Sequence, residues 1–268
     1  MATNVAVLSV EVLAIPGAQQ ITANAINDRA QVVGQFNDAN GMPHGFIYED
    51  GSVCQLDYPN ARETNILDIN NRGQLLGLIV TATATLGFIY DRGMFSSPLI
   101  YPGAKTLTIP NGINDRQEIV GVHDAPPHGG SFYYGVGGYK FLAYPGAQGT
   151  DAQRINDSRQ IIGDFTDAAG THGFVYLENV GAFTSALNCP NAPVIAFRGI
   201  NNAGQIVGGC VDAQGNEHPF IYADGAMHPI LIPGATSASV NDINDRGQIT
   251  GTLQSAAGPQ SFIAAVPF

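Results

Sequence analysis

Residues 243–251 read Ile-Asn-Asp-Arg-Gly-Gln-Ile-Thr-Gly, and near-copies of this phrase recur along the whole chain of 268 residues. Successive copies begin 42 to 45 residues apart, so the period is nearly constant. A fixed period in the forties indicates a repeat architecture. The six copies begin at Ile26, Ile69, Ile113, Ile155, Ile200 and Ile243.

Each repeat has the pattern of four short strands. In the first repeat we predict strands at 21–26, 31–36, 44–48 and 52–58. Asn27 and Asp28 fall in the first turn, where such side chains bond to the local backbone, and Asp50-Gly51 is a hairpin signal. Pro59 ends the fourth strand because it cannot donate to a sheet ladder. Four strands in about 40–45 residues are typical of one β-propeller blade.

The two ends of the chain complement each other. The last repeat stops at Phe268 after its third strand, whereas residues 5–14 read as a fourth strand without the first three. Pairing them would leave no exposed sheet edge. We therefore predict an all-β fold: a six-bladed β-propeller of four-stranded blades, its ring closed by the N-terminal strand joining the last blade. Residues 1–268 would form a single domain, with repeats starting near residues 21, 64, 108, 150, 195 and 238.

The repeated phrases also resemble a known family. Ile-Asn-Asp-Arg-Gly-Gln-Ile, Gly-Phe-Ile-Tyr and Pro-Gly-Ala are similar to the bacterial HAF repeats, which are often described as extracellular repeats and are thought to build propellers. The resemblance covers essentially all of the chain and implies the propeller fold. It implies no particular activity, because one fold can carry many functions.

The low and negative charge of the chain narrows the classes of partner. Charged residues make up 12% of the chain, against about 25% on average, and the formal net charge is −11. An acidic surface repels phosphate groups, so we expect neither nucleic acid nor a membrane surface as a partner. No apolar run of about 18 residues or more is present. We expect a soluble monomer whose partner is a small-molecule ligand.

The three cysteines bear on the cellular compartment. Cys54, Cys189 and Cys210 are an odd number of cysteines scattered along the sequence, which favours buried free thiols and slightly favours a reducing compartment. The first residues lack the basic n-region of a secretory signal peptide. The sequence therefore predicts either a cytoplasmic protein or the mature form of a secreted one.

Residues that recur in every repeat are expected to build the scaffold. The asparagine of the Ile-Asn phrase is present in all six copies, and asparagine favours turns because its side chain bonds to nearby backbone groups. Function is instead expected where one repeat departs from the others, on the face that carries the longer and more variable loops. The six turn asparagines are Asn27, Asn70, Asn114, Asn156, Asn201 and Asn244.

The third repeat departs most from its siblings. Two positions after the strand-two glycine it carries His123, followed by Asp124. An exposed His-Asp pair at the root of a loop can bind a polar ligand or move a proton. We predict His123, Asp124 and Tyr134 as catalytic residues, and His128 and Tyr133 as ligand-binding residues. The alternative is a solvated loop without a site. The other repeats carry Phe36, Ile79, Phe165, Cys210 and Leu253 at the first of these positions.

The strand that lines a propeller channel supplies a second set of departures. Arg154 and Arg198 lie just before the Ile-Asn phrase in adjacent repeats, and together they would form a cationic patch suited to a carboxylate or phosphate group. Asp68 offers the opposite charge, and Asp151 lies nearer the variable mouth. We predict all four as ligand-binding residues. The alternative is that these charges neutralise one another across the channel.

The favoured function is binding of a small polar or anionic molecule at the mouth of the central channel, on the variable-loop face. One alternative is a metal-independent lyase, cyclase or hydrolase that uses His, Asp and Tyr for proton transfer in the same site. Another is a protein-interaction scaffold or a multivalent lectin, although the chain has no Trp to stack on sugars. The chain has no Gly-x-Ser-x-Gly elbow, Cys-x-x-Cys pair or phosphate-binding glycine loop, and we expect no metal and no cofactor.

Overall fold

The assigned regular structure is entirely β. The computed structural model describes residues 5–127, 129–184, 186–190 and 192–267, and these ranges contain 25 strands and no α-helix. Among the described residues there is accordingly no helix that could cross a membrane. The all-β prediction is confirmed.

The strands follow the six repeats, which we call units one to six. The N-terminal segment forms β1 (Val5–Ala6) and β2 (Val10–Val12). Unit one contains β3 (Gln20–Ile26), β4 (Val32–Asn37), β5 (Pro43–Glu49) and β6 (Ser52–Leu56). Unit two contains β7 (Glu63–Ile69), β8 (Leu75–Val80), β9 (Thr85–Asp91) and β10 (Met94–Phe95). Unit three contains β11 (Leu107–Ile113), β12 (Ile119–His123), β13 (Gly130–Gly135) and β14 (Gly138–Leu142).

The last three units complete the chain. Unit four contains β15 (Gly149–Ile155), β16 (Gln160–Asp167), β17 (Gly170–Leu177) and β18 (Ala182–Phe183). Unit five contains β19 (Val194–Ile200), β20 (Ile206–Val211), β21 (Glu217–Ala223) and β22 (Ala226–Leu231). Unit six contains β23 (Ser237–Ile243), β24 (Gln248–Ser255) and β25 (Gly258–Ala265).

Within a unit, consecutive strands pair antiparallel. Unit one is a four-stranded sheet in the order β3-β4-β5-β6, and its strand ends lie within two residues of those predicted. Short parallel pairings, β9 with β11 and β17 with β19, connect neighbouring units. The core lies between the sheets, where the phenylalanine of the aromatic phrase is 0–3% exposed in every unit. These residues are Phe46, Phe88, Phe132, Phe174, Phe220 and Phe262.

The turn asparagines hold their own turns and also join adjacent units. Asn27 Oδ1 accepts hydrogen bonds from the backbone N–H groups of Arg29 (3.0 Å) and Gln31 (3.1 Å), which confirms the predicted turn-forming role. Asn27 Nδ2 donates to the carbonyl oxygen of Asn70 in unit two (3.3 Å), and equivalent bonds follow from each unit to the next. The last of them runs from Asn244 Nδ2 to the Asn27 carbonyl oxygen (2.8 Å). We call the surface formed by these six turns the repeated face, and the opposite surface the variable face.

The N-terminal segment pairs with two units. A single strand over residues 5–14 was the prediction, but the segment divides into β1, parallel to β22, and β2, antiparallel to β25. Val10 stands opposite Ala264, so the pairing with the last repeat is observed for β2 alone. The segment divides because it crosses from unit five to unit six and pairs with the outer strand of each.

The prediction of three buried free thiols is wrong for Cys189 and Cys210, and for Cys54 it is right about the free thiol and wrong about burial. Cys189 and Cys210 form a disulfide with their Cα atoms 5.7 Å apart, and only Cys54, which is exposed, is a free thiol. The connection that carries Cys189 packs against unit five, whose strand β20 contains Cys210. The disulfide therefore joins the connection between units four and five to strand β20 of unit five.

Candidate functional site

Two cavities lie along the axis around which the units are arranged. The central cavity, on the repeated face, has a volume of about 70 Å³ and is lined by turn residues of all six units. The mouth cavity, on the variable face, has a volume of about 260 Å³. Arg154 lines both cavities, so its side chain forms the partition between them.

The Arg154 guanidinium is bound to backbone carbonyl oxygens around the axis. Its Nη1 donates to the carbonyls of Asn111 (2.6 Å) and Gln153 (3.1 Å), and its Nη2 donates to those of Leu67 (3.2 Å) and Asn24 (3.3 Å). These bonds use all four N–H groups of the two terminal nitrogens. Arg154 therefore has few donors left for an anionic ligand.

Two buried carboxyl groups lie beside Arg154. Asp68 Oδ1 is 3.9 Å from Arg154 Nε, and Asp68 Oδ2 accepts from the Ile113 N–H (2.7 Å). Asp242 accepts from the Ile26 N–H (3.0 Å). Burial raises the pKa of both carboxyl groups, and the positive charge of Arg154 opposes that rise. The geometry agrees with the alternative in which channel charges neutralise one another.

The mouth cavity is lined by one residue from each unit at the position two before the Ile of the Ile-Asn phrase. Three of these are asparagines whose side-chain amide groups donate to a neighbouring unit, while their side-chain oxygens accept no hydrogen bond from the described residues. Asp164 of β16 adds a carboxyl group to the wall. The six residues are Asn24, Leu67, Asn111, Gln153, Arg198 and Asn241.

Arg198 is held by a carboxylate that the sequence did not single out. Its Nη1 and Nη2 both donate to the Glu217 carboxylate, the latter at 3.2 Å. The glutamate reaches Arg198 by passing over Gly209, where a Cβ would collide with the carboxylate. A side chain at this strand position would displace the Glu217 carboxylate from its place beside Arg198. Arg154 and Arg198, which were predicted to form a cationic patch, both line the mouth cavity, but both guanidinium groups already have partners.

Asp151 and Asp164 stand opposite each other on β15 and β16. Burial raises the pKa of Asp151 to about 6. Burial, with a smaller contribution from the charge of Asp151, raises the pKa of Asp164 to about 7, against a hydrogen bond from the Phe197 N–H (3.0 Å). Carboxyl groups with raised pKa values beside a cavity are typical of functional sites.

The third unit does not present the exposed His-Asp pair that was predicted. His123 is only 6% exposed, and its ring stacks on Tyr101 with centroids 3.6 Å apart and planes at 5°. His123 Nδ1 accepts from the Ala125 N–H (3.0 Å), and burial lowers the pKa of the imidazole. The corresponding residue of unit four, Phe165, stacks on Tyr144 in the same way. The imidazole thus takes the place of a core aromatic ring.

The remaining candidates of the third unit lie apart from one another. Asp124 accepts from Thr106 Oγ1 (2.6 Å) and from the N–H groups of Lys105 and Thr106, and these bonds hold its pKa well below the usual range. Tyr134 pairs with Ile119, at the far end of the β12–β13 ladder from His123. The ladder therefore keeps Tyr134 and His123 from acting on one substrate atom.

Tyr133 and His128 complete the set of predicted residues. Tyr133 is buried and donates to Glu118 (2.9 Å), and burial together with this carboxylate raises the pKa of Tyr133 to about 12. His128 lies outside the described residues. Neither Tyr133 nor Asp124 is among the residues that line the mouth cavity, whereas Arg154 and Arg198 both line it.

Sequence reasoning missed Asp164 and Glu217. A signal for Asp164 existed, because it is the only acidic residue at the position that follows the strand-two glycine. Glu217 carried no comparable signal, since its role depends on Gly209 and on the register of β20 with β21. The other units carry Gln35, Leu78, Val122, Gly209 and Thr252 at the Asp164 position.

Comparisons with known proteins identify the fold. No family model and no curated protein sequence matches the chain. TolB from Acinetobacter baumannii matches with a TM-score of 0.62 at 9% identity, over 88% of this chain and 63% of TolB, so the chain spans less than two thirds of that protein. A gluconolactonase from Xanthomonas campestris matches with a TM-score of 0.55 at 14% identity, over 96% and 89% of the two chains.

A third solved structure is named as a propeller. The β-propeller domain of the Trilobed protease from Pyrococcus furiosus matches with a TM-score of 0.58 at 13% identity, over 93% of this chain and 82% of that one. Likeness at these identities shows the fold alone. The chain is an all-β protein with a propeller-like fold.

Proposed function

We propose that the protein binds a small, neutral, hydroxyl-rich molecule in the mouth cavity on the variable face. The observation that carries the proposal is the composition of the cavity wall, where free acceptor oxygens and a carboxyl group surround a space of about 260 Å³. Small-molecule sites are concave and place a few polar groups so that they converge on the ligand.

The acceptors favour a ligand that donates hydrogen bonds. The side-chain oxygens of Asn24, Asn111 and Asn241 come from three different units and are not used by the described residues. Asp164 can accept when ionised and can also donate when protonated. A sugar-like molecule carries hydroxyl groups that both donate and accept, so it complements such a wall.

The same wall favours a neutral ligand over the anion considered from the sequence. The terminal nitrogens of Arg154 already donate to carbonyl oxygens, and the charge of Arg198 is balanced by Glu217. A carboxylate or phosphate entering the cavity would face the Asp164 carboxyl group, with Asp151 behind it on the neighbouring strand, and would find no cation without a partner. Like charges within a few ångströms disfavour the ionised forms.

The proposal includes a closed ring of six four-stranded blades. The hydrogen bond from Asn244 to Asn27 and the pairing of β2 with β25 both support closure, because each connects the end of the chain with its beginning. Six units, each contributing a turn asparagine to the repeated face, support the blade count. The resemblance to the HAF repeats is part of the same proposal.

The test compares two isoleucine substitutions at one repeat position. Ala196 lines the mouth cavity, and unit three carries Ile109 at the corresponding position, so the fold already accepts isoleucine there. Thr22 is the corresponding residue of unit one and does not line the cavity. Saturation-transfer NMR with glucose, galactose and mannose should give signals for wild type and Thr22→Ile. In Ala196→Ile the affinity should fall at least ~10-fold, or about 1.4 kcal/mol.

The same measurement contains the contradicting results. Gluconate and glucose 6-phosphate are measured beside the neutral sugars as anionic probes. Equal sugar binding by Ala196→Ile and Thr22→Ile would remove the mouth cavity from the proposal. Binding of the anions alone would show that the ligand class is wrong.

A second candidate function, proton-transfer catalysis, is favoured by one observation. Asp164 lines the mouth cavity and its pKa of about 7 lets it exchange a proton near neutral pH. A sugar that binds would then be converted, and Asp164→Asn would abolish product formation while preserving binding. If NMR detects binding of the sugar but no product over hours, only the binding function remains.

A further inference from the structure

A third cavity lies beside the mouth cavity, between units five and six. This inter-unit groove has a volume of about 360 Å³ and is lined by Gly215, Asn216 and Glu217 of unit five and by residues of β23 and β24. It is larger than the mouth cavity, and it opens on the same variable face. The groove is lined by none of the turn asparagines and by none of the core phenylalanines.

The groove lies where unit six has a small residue at one cross-strand position. In unit six this position pairs Ser239 with Thr252, and both line the groove, whereas in unit five it pairs Ala196 with Gly209, over which the Glu217 side chain lies. Bulkier pairs occupy it elsewhere, for example Ile109 with Val122 in unit three. The gap between units five and six is therefore a departure from the repeat, of the kind that marks function.

The ion pair of Arg198 and Glu217 connects the two cavities. Arg198 lines the mouth cavity, Glu217 lines the inter-unit groove, and the two side chains bond to each other. A ligand that fills the mouth cavity and continues outward beside this ion pair enters the groove. The two spaces are thus adjacent parts of one surface.

The groove wall is rich in hydroxyl groups. The side chains of Ser237, Ser239 and Thr252 are accessible and make no hydrogen bond to the rest of the described chain. The lining contains no Lys, Arg or His, and the single charge of Glu217 is balanced by Arg198. Such a wall matches neutral hydroxyl groups, each of which can donate and accept.

We propose that the inter-unit groove is a second subsite, so that the ligand is a neutral chain of at least two hydroxyl-rich units, such as a disaccharide or longer oligosaccharide. One sugar ring of the ligand occupies the mouth cavity, and the next ring lies in the groove against Ser239 and Thr252. This inference rests on the proposed function of the mouth cavity and adds the length of its ligand. Contacts to a second sugar ring should tighten binding, because the loss of translational freedom already accompanies binding of the first ring.

The experiment uses a printed array of neutral mono-, di- and trisaccharides, followed by calorimetry on the sugars retained. Four proteins are compared: wild type, Ser239→Ile in the groove, Ala196→Ile in the mouth cavity and Thr22→Ile as the control outside both. Wild type should bind a disaccharide at least ~10-fold more tightly than its monosaccharide. Ser239→Ile should lose that advantage and keep the monosaccharide affinity, whereas Ala196→Ile should lose both.

A second groove variant protects the test against misfolding. Thr252→Val removes one hydroxyl at nearly constant shape, and unit three carries Val122 at the same position. It should weaken the disaccharide several-fold and leave the thermal midpoint within a few degrees.

The outcomes separate the two proposals. Monosaccharide binding that Ala196→Ile abolishes, with no gain from a second sugar, would overturn the inference and leave the proposed function standing. Disaccharide affinity unchanged in both groove variants would overturn it as well. An array that retains no neutral sugar would overturn both proposals.

Discussion

Asp164 is the residue whose protonation the structure ties most closely to the mouth cavity. Its pKa is about 7 in the folded protein because of burial, against 3.8 for an ordinary aspartate. The folded state therefore binds the proton more tightly than the unfolded state. Its contribution to stability is fully present below pH ~4 and is lost as the pH rises through ~7, by about 1.4 kcal/mol for each unit of pKa difference.

Asp164→Asn keeps the shape of the protonated carboxyl group and its acceptor for the Phe197 N–H. We expect the variant to equal wild type near pH 4 and to be more stable at pH 8. Glu49→Gln, at an exposed carboxyl group, is the matched control and should not change the pH profile. Thermal unfolding from pH 4 to pH 8 measures this difference. Parallel profiles for Asp164→Asn and wild type would contradict the raised pKa of Asp164.

His123 is expected to act in stability and not in binding. Because the ring is stacked on Tyr101 in the core, His123→Ala should cost about 1–3 kcal/mol of unfolding free energy. His123→Phe restores the ring that unit four carries as Phe165 and should stay within about 1 kcal/mol of wild type. Urea unfolding measures both. If the stable His123→Phe variant lost sugar affinity, the imidazole of His123 would have to be part of the binding site.

At the residue scale, the sequence predicts what is local. The turn asparagines bond to residues two and four positions away, so their role follows from the phrase itself. The pairing of Arg198 with Glu217 spans 19 positions and depends on a glycine between them, which no local pattern shows. The burial of His123 was missed for the same reason, because its stacking partner Tyr101 lies in the connection before β11.

At the scale of elements, the strands of a unit are set by their turns. The predicted strand ends in unit one agree with the structure to within two residues because glycine, asparagine and aspartate mark each turn. The N-terminal segment behaves differently. Its division into β1 and β2 depends on partners more than 200 positions away, Ile230 and Ala264, which the local sequence does not reveal.

The disulfide is the covalent link of unit five, and it yields a prediction for the thiols. Denatured protein that has not been reduced should titrate one free thiol, from Cys54, and three after reduction. Cys210→Ser should lose about 3 kcal/mol of stability, because the bridge closes a loop over a separation of 21 residues. Cys54→Ser, at the exposed thiol, is the control and should be near neutral. Three free thiols before reduction would contradict the bridge.

At the scale of the whole molecule, the N-terminal segment connects the two ends of the chain. Deleting residues 1–13 removes β1 and β2, and exposes the outer edge of β25, whose partner in the structure is β2. We expect a lower and less cooperative unfolding transition, with aggregation through the open edge. Size-exclusion chromatography and thermal unfolding measure this. A truncated protein that stays monomeric and equally stable would contradict a ring closed through this segment.

The two faces of the molecule differ in sequence, and we propose that ligand recognition belongs to the variable face. The repeated face carries hydrogen bonds that run from unit to unit, and Arg154 separates its central cavity from the mouth cavity. The variable face carries the departures from the repeat, including Asp164, Gly209 and Ser239. The propeller fold could be predicted from the period, whereas the mouth cavity arises from single residues of six units meeting on one axis.

A crystal structure grown with the neutral sugar that gives the strongest saturation-transfer signal tests the binding site most directly. We expect sugar in the mouth cavity, with hydroxyl groups about 2.7–3.2 Å from the Asp164 carboxyl group and from the side-chain oxygen of Asn241. A sugar bound instead on the repeated face, or at the outer edge of a unit with only water in the mouth cavity, would show that the mouth cavity is not the binding site.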